Sequence, residues 1–258
     1  MPELPDLEVF SRNLTKKLIG KKVSKITISK KAKIKVSSNL IKKTLEGQKL
    51  KKIYREGKEL YFEFSKGDIL SLHLMLRGEL YLFKEKHDRK SAIIEFLFSD
   101  KSGLVMSDYQ WAAHPTLNPE EKEAPDALSK TVTTKLLKEI IQGSKAAVKN
   151  ILLDQSVIRG IGNAYADEIL WKAKISPFAV GSKIPDRYIT SLSKAIKSVL
   201  KNAQKNILKA DPHIISGEIR DFLVIHNHQK DKSPTGAKIQ IKSGSRKTYY
   251  TDEQELFK

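Results

Sequence analysis

The chain contains no cysteine. That absence excludes disulfides, thiolate nucleophiles, cysteine-ligated zinc and iron–sulfur clusters. Histidine is scarce too, with six in 258 residues. Only His226 and His228 lie close together, and a two-residue spacing with no third ligand reads as ordinary loop sequence rather than a metal site. No metal and no cofactor is expected. Long apolar runs are also missing: nothing approaches the roughly 18 residues of a membrane span, and the N-terminus lacks a charged-then-apolar leader. A cytosolic chain with no membrane partner is the expectation. Acidic residues are the last shortage. Thirty Asp and Glu face 48 Lys and Arg, a formal net charge of +18. Such a field attracts polyanions, nucleic acid first. A merely lysine-rich, solvated surface would spread the charge evenly, yet residues 1–50 hold 13 Lys and Arg against 4 Asp and Glu.

What is present suffices for a large core, in one large domain or two ordinary ones. Residues 3–19 read as a short amphipathic helix, with Leu7, Phe10, Leu14 and Leu18 at helical spacing behind Pro5. Alternating runs follow: "KVSKITISKKAKIKV", "KELYFEFSKGDILSLHLMLRGELYLF" and "SAIIEFLFSDKSGLVMSDY". They predict a β-sandwich or barrel closed by the first helix. "HPTLNPEEKEAPDA" (114–127) breaks the pattern with prolines and acids, as a linker does. "LSKTVTTKLLKEIIQ", "SKAAVKNILLDQ", "NAYADEILWKA" and "DRYITSLSKAIKSVLKNAQKNILKA" then carry helical spacing, and "AKIQIKSGSRKTYYTDE" reads as a hairpin turning at Gly244. The expected class is α+β multidomain. An N-terminal β-sandwich with its helix takes residues 1–115, a linker 116–127, a helical domain 128–225 and a terminal β-hairpin finger 226–258.

The most informative stretch is "LLDQSVIRGIGNAYADEIL" (152–170). A helix ends, the chain turns through Gly160 and Gly162, and a new helix starts near Asn163. Glycines there admit close approach of a ligand, and a helix start offers N–H groups to phosphate. A plain C-cap followed by an N-cap is the equally available reading. Together with "MPELPDLE" at the start and "SRKTYY" near the end, the pattern resembles the formamidopyrimidine-DNA glycosylase / endonuclease VIII family over nearly the whole chain, in the family's order. The helix–two-turn–helix matches residues 145–172.

The resemblance implies base-excision repair by a monomeric bifunctional DNA glycosylase and AP lyase. Its partner is double-stranded DNA carrying an oxidised base or abasic site. Its place is the bacterial cytoplasm, associated with the nucleoid through DNA. The family roles fall on Pro2 as the amine nucleophile once Met1 is processed off, and on Glu3 as general acid/base. An α-amino group titrates near 8, against about 10.4 for lysine, so more of it is deprotonated at working pH. Lys58, after Gly57, matches the β-hairpin lysine that holds phosphate near the lesion. His73 matches a phosphate-contacting histidine, although a half-buried strand histidine is the bland alternative. Asn163 and Gly162 are the phosphate contacts at the helix start. Arg246 matches the arginine of the finger, suited to phosphate by its guanidinium fork.

Four departures stand out. Asp6 replaces the usual glutamate at the sixth position, one methylene shorter. The finger has no cysteines for zinc, so it resembles the zincless finger of endonuclease VIII-like relatives, with Ile239, Ile241, Tyr249 and Tyr250 as candidate packing. Leu76 stands where a methionine wedge is usual, beside Met75. Gln110 and Ala112 stand near the positions of the family's other gap-filling residues, Arg and Phe, with Trp111 either stacking or core. Finally, "RDFLVIHNHQ" runs from Phe222 almost straight into the finger, so the loop that caps flipped 8-oxoguanine is largely missing. The expected substrates are therefore oxidised pyrimidines, ring-opened purines, hydantoins and abasic sites. A true 8-oxoguanine glycosylase and a non-catalytic damage-binding protein of the same fold are the alternatives.

Overall fold

The computed structural model describes residues 1–258, which divide into two compact units. The first comprises Met1–Glu121 and Ile207–Glu218. It opens with α1 (Leu4–Leu18), whose start is set by Pro5 in the first turn. Asp6 at the helix start and Lys16 and Lys17 at its end complement the helix dipole. Leu7, Phe10, Leu14 and Leu18 form its buried face, as their spacing predicts.

Two four-stranded antiparallel sheets face each other. One has the order β1 (Val23–Ile28), β6 (Ala92–Phe98), β7 (Ser102–Ser107), β5 (Glu79–Lys84). The other has the order β2 (Leu50–Glu56), β3 (Glu59–Phe64), β4 (Ile69–His73), β8 (His114–Leu117). Their inner residues and α1 share one core, in which Phe62 of β3 stacks on Phe96 of β6 at 6.4 Å between ring centroids. A short helix, α2 (Ser38–Leu45), contributes Ile41 and Leu45 to that core; it follows the lysine-rich stretch 22–36 that reads as strand. Only Val23–Ile28 of that stretch pairs, against β6. The segment from His114 reads as a break because of its prolines, yet His114–Leu117 pairs with β4 as an edge strand, where a missing N–H is tolerated.

The returning segment 207–218 belongs to this unit. Asn13 Nδ2 of α1 donates to the carbonyl of Ile214 at 2.8 Å, and the Leu80 N–H donates to Ser216 Oγ at 2.9 Å.

The second unit comprises Lys122–Asn206 and Ile219–Lys258. It holds α3 (Thr134–Gln142), α4 (Val148–Leu153), α5 (Asn163–Ala173) and most of α6 (Asp186–Ala210), followed by the hairpin β9 (Gln240–Lys242) and β10 (Thr248–Tyr250). α5 and α6 span the stretches read as helical, whereas α3 and α4 are shorter than theirs. No helix is long and apolar enough to cross a membrane.

Phe62 is central to the inter-sheet packing. F62A should destabilise the protein by about 3–5 kcal/mol through lost burial and a residual cavity, measured by urea denaturation.

Candidate active site and nucleic-acid interface

In the first unit, Pro2 is buried immediately before α1. Glu3 is its N-cap residue and only 5% exposed. Asp6 Oδ2 accepts the Glu3 N–H at 2.8 Å, and the Glu3 carboxylate takes the Asp6 N–H in return. This reciprocal cap accounts for the unusual Asp6, whose shorter side chain fixes the backbone that carries Glu3. Pro2, Leu76 and Gln110 line one cleft of about 510 Å³, together with Met1, Arg77, Gly78, Glu79, Gly217 and Glu218. The Met1 ammonium pairs with Glu218 across this cleft. No sequence motif points to Glu218, Arg77 or Glu79. Glu218 stands 217 positions from Met1, and only the return of segment 207–218 brings it in.

Lys58 lies outside the cleft lining. It forms the two-residue turn between β2 and β3 with Gly57, whose φ of +56° is the glycine-first pattern of a tight hairpin. Arg55 holds that turn. Its Nη1 donates to the Gly57 carbonyl at 3.2 Å and its Nε to Glu8 of α1 at 2.9 Å. The lysine is thus set on a hairpin braced against the helix that carries Glu3.

His73 also lies outside the cleft lining, half-buried at the end of β4. Its Nδ1 accepts the Met75 N–H at 3.1 Å, which leaves the ring proton on Nε2, the arrangement of a phosphate donor. Leu76, three residues after His73, is 61% exposed at the tip of a turn closed by Gly78 N–H to Leu74 carbonyl at 2.8 Å. A side chain at Gly78 would collide with the Leu74 backbone, so glycine is required there. The loop bearing Gln110 is organised by Asp108. Its buried carboxylate accepts the N–H groups of Gln110, Ala112 and Ala113 at 2.8, 2.9 and 2.8 Å. Gln110 is exposed. Trp111 packs partly buried against the core with Lys31 over its ring.

In the second unit, α4 and α5 are joined through Gly160, at φ +104°. Gln155 braces the turns: its Nε2 donates to the carbonyls of Leu153 and Ile161, and its Oε1 accepts the Gly160 N–H at 2.9 Å. Gly162 is the N-cap of α5, with extended backbone at φ −119°. Asn163 Nδ2 donates to the Lys247 carbonyl at 2.9 Å, next to Arg246, which is exposed in the β9–β10 loop. The helix start and the finger arginine are thus tied within one unit.

The finger is fastened by carboxylates. Asp167 of α5, fully buried, accepts from His226 Nδ1 at 2.7 Å and from the Tyr249 N–H at 3.0 Å through Oδ2. Its Oδ1 lies 2.7 Å from the Lys149 ammonium as a charge contact, and Lys149 donates to Thr248 Oγ1 at 2.8 Å. The neighbouring Glu168 accepts the N–H groups of Val224, Ile225 and His226 at 3.1, 2.7 and 2.8 Å. Burial pushes its carboxyl above the usual range against the pull of those donors. His226 is therefore an anchor, and no group of three or more His, Asp or Glu converges as a metal site. The expected packing needs one correction. Ile239 and Tyr249 pack with Ile225, but Ile241 is 51% exposed although it is the register partner of Tyr249.

Glu253 provides a second clasp, accepting from Thr235, Lys174, Ser233 and Trp171 at 2.5 to 3.1 Å.

Residues 1–113 match the model of the formamidopyrimidine-DNA glycosylase N-terminal domain, and residues 124–210 that of the formamidopyrimidine-DNA glycosylase H2TH domain. The formamidopyrimidine-DNA glycosylase of Lactococcus lactis is 30% identical over 270 residues, covering 97% of each chain. The chain belongs to the formamidopyrimidine-DNA glycosylase / endonuclease VIII family of DNA-repair enzymes. Its fold superposes on Lactococcus lactis Fpg bound to DNA containing an abasic site with a TM-score of 0.88 at 25% identity, covering 98% of this chain and all of the other. It superposes equally on MutM in complex with DNA containing carbocyclic 8-oxo-G, with a TM-score of 0.87 at 26% identity and the same coverage. The α+β family fold, with a β-sandwich, a helix–two-turn–helix and a finger lacking the zinc cysteines, is thus this chain's fold.

Two outcomes follow for the finger. D167N would remove the buried carboxylate charge 2.7 Å from the Lys149 ammonium and should destabilise the second unit by about 3–5 kcal/mol. Hydrogen exchange should localise the loss to the 225–250 amides. Hydrogen bonds, that from Thr235 foremost and then that from Lys174, hold the Glu253 carboxyl well below its usual range. A depressed carboxylate stabilises the fold above its unfolded value and loses that contribution as pH falls through its folded value. Stability of wild type should therefore drop below about pH 4.3, the ordinary glutamate value, and E253Q should show a shallower acid limb in denaturation at varied pH.

Proposed function

We propose that this chain is a bifunctional DNA glycosylase and AP lyase that uses the Pro2 amine as its nucleophile. The observation that carries the reading is the meeting of Pro2, Leu76 and Gln110 in one cleft with Glu218 facing the chain's amine. With Met1 removed, the secondary amine of Pro2 attacks C1′ of the damaged nucleotide. The C–N bond to the base breaks and the base leaves with a proton. The sugar ring opens to an iminium, which is cationic without further protonation and acidifies the C2′ protons. Loss of a C2′ proton expels the 3′ phosphate, and a second elimination expels the 5′ phosphate. Glu3 protonates the opening ring oxygen and takes the C2′ proton; its cap with Asp6 keeps it beside Pro2.

Binding is assigned to both units. Lys58 and His73 hold phosphates around the lesion in the first. Gly162, Asn163 and Arg246 do so in the second, where the Asn163–Lys247 bond supports their cooperation. Leu76, apolar and exposed on a rigid turn, fills the gap left by the flipped nucleotide. Gln110 reads the orphan base. Trp111, half-buried against the core, supports the loop rather than stacking on a base. The short connection from Phe222 to the finger favours oxidised pyrimidines, ring-opened purines, hydantoins and abasic sites over 8-oxoguanine. A second DNA-damage reading without catalysis gives no purpose to the Pro2–Glu3 pair.

Borohydride trapping across a panel of lesion duplexes tests this, with intact mass to establish the N-terminus. Protein lacking Met1 should cross-link to abasic DNA, and protein retaining it should not. E3Q should lower excision by about 10²–10⁴-fold, the usual worth of general acid–base catalysis. In single-turnover assays thymine glycol should be released faster than 8-oxoguanine. Absence of any cross-link would leave a damage-binding protein, and equal release of the two bases would establish an 8-oxoguanine glycosylase.

A further inference from the structure

Two histidines fasten the two loops assigned to the opened base stack. His73 Nδ1 accepts the N–H of Met75, in the turn that carries Leu76. His114 Nδ1 lies 3.1 Å from the carbonyl of Ala112, in the loop that carries Gln110 and Trp111. A carbonyl only accepts, so His114 carries its proton on Nδ1 and donates it. The same nitrogen thus serves opposite ends of a link: one ring accepts from the wedge turn, the other donates to the reading loop. The rings themselves are joined. His73 and His114 are register partners on β4 and β8, and they stack at 5.4 Å between centroids with 4° between planes.

The backbone at both ends needs such holding. Met75 at φ +52° and Trp111 at φ +56° lie in the left-handed region although neither is glycine. Each is adjacent to a group held by one of the two imidazoles or is that group's own residue. Asp108, which collects three N–H groups of the reading loop, makes that loop rigid, so that displacement at Ala112 moves Gln110 with it.

We propose that His114 is a positioning residue which, through its stack on His73, couples the Gln110–Trp111 loop to the Leu76 turn, so that both loops enter the duplex as one unit. This rests on the assignment of Leu76 as the wedge. His73 is then more than a phosphate contact: orienting its ring on a phosphate also sets the plane on which His114 rests. Ordinary packing of neighbouring strand histidines predicts no such coupling, and the two readings separate experimentally.

The probe is a duplex with 2-aminopurine opposite an abasic site, followed by stopped-flow fluorescence as the base unstacks. A single-stranded abasic oligonucleotide, with no stack to open, is the reference for strand cleavage. H114F keeps a ring to stack and loses the donor. H114N keeps a donor for the Ala112 carbonyl and loses the stack. L76A removes the wedge. Both His114 variants should slow unstacking by about tenfold, an ordinary scale for coupling between contacting residues, while cleaving the single strand at the wild-type rate. A wild-type unstacking rate in both His114 variants, with L76A slow, overturns the coupling and leaves the wedge. A wild-type rate in L76A overturns the wedge assignment and the coupling together. An equal loss on single-stranded DNA in the His114 variants also overturns the proposal, since the residue then supports the unit as a whole.

Discussion

A chain terminus is ordinarily the loosest part of a protein, and this fold requires one of its termini to be held still. The reciprocal cap between Glu3 and Asp6 meets that requirement. It fixes the first turn of α1, and α1 in turn seals the core through Leu7, Phe10, Leu14 and Leu18. The hairpin of Lys58 is referred to the same helix through Arg55 and Glu8, and the returning segment is referred to it through Asn13. The N-terminus, the hairpin of Lys58 and the cleft wall therefore share one reference element. Loss of the helix would scatter all three, which is why its position is set by so many different kinds of contact.

A second theme is the use of scarce carboxylates. In a chain with a large cationic surplus, several of the few acids are not spent on surface ion pairs. Asp108, Asp167 and Glu168 are buried, and between them they gather the N–H groups of loops that no ladder could satisfy. An unpaired buried N–H is costly, so each carboxylate dictates the path of an irregular segment. The loop of Gln110 and both attachments of the finger owe their shapes to this device.

Legibility in the sequence followed physical locality. α5 and α6 announce themselves by period and by bounding glycine or proline, and the strands of the sandwich alternate cleanly. α2 was hidden because its lysines match the lysine-rich strand before it, and only Ile41 and Leu45 face inward. β8 was hidden because proline argues against a strand unless the strand is an edge. Pro2, Leu76 and Gln110 could be placed by motif, and they do share a cleft. Glu218, His114 and Lys149 could not, because their partners lie across a strand pair or far along the chain. Asp6 illustrates the limit most clearly. By letter it is a departure from a pattern, and only the backbone geometry explains its presence.

The finger carries a consequence for the conditions under which this enzyme can work. A cysteine-bound zinc ties folding to metal supply and exposes thiolates to oxidation. Here the corresponding hairpin is joined to α5 by a carboxylate, an ammonium, an imidazole and backbone amides. None of these is a thiol, and none competes with other proteins for a scarce ion. The fastening has moved from coordination chemistry to ion pairing and hydrogen bonding, so neither a chelator nor a thiol-directed oxidant attacks it. A repair protein built this way keeps its hairpin in place with neither metal nor thiol.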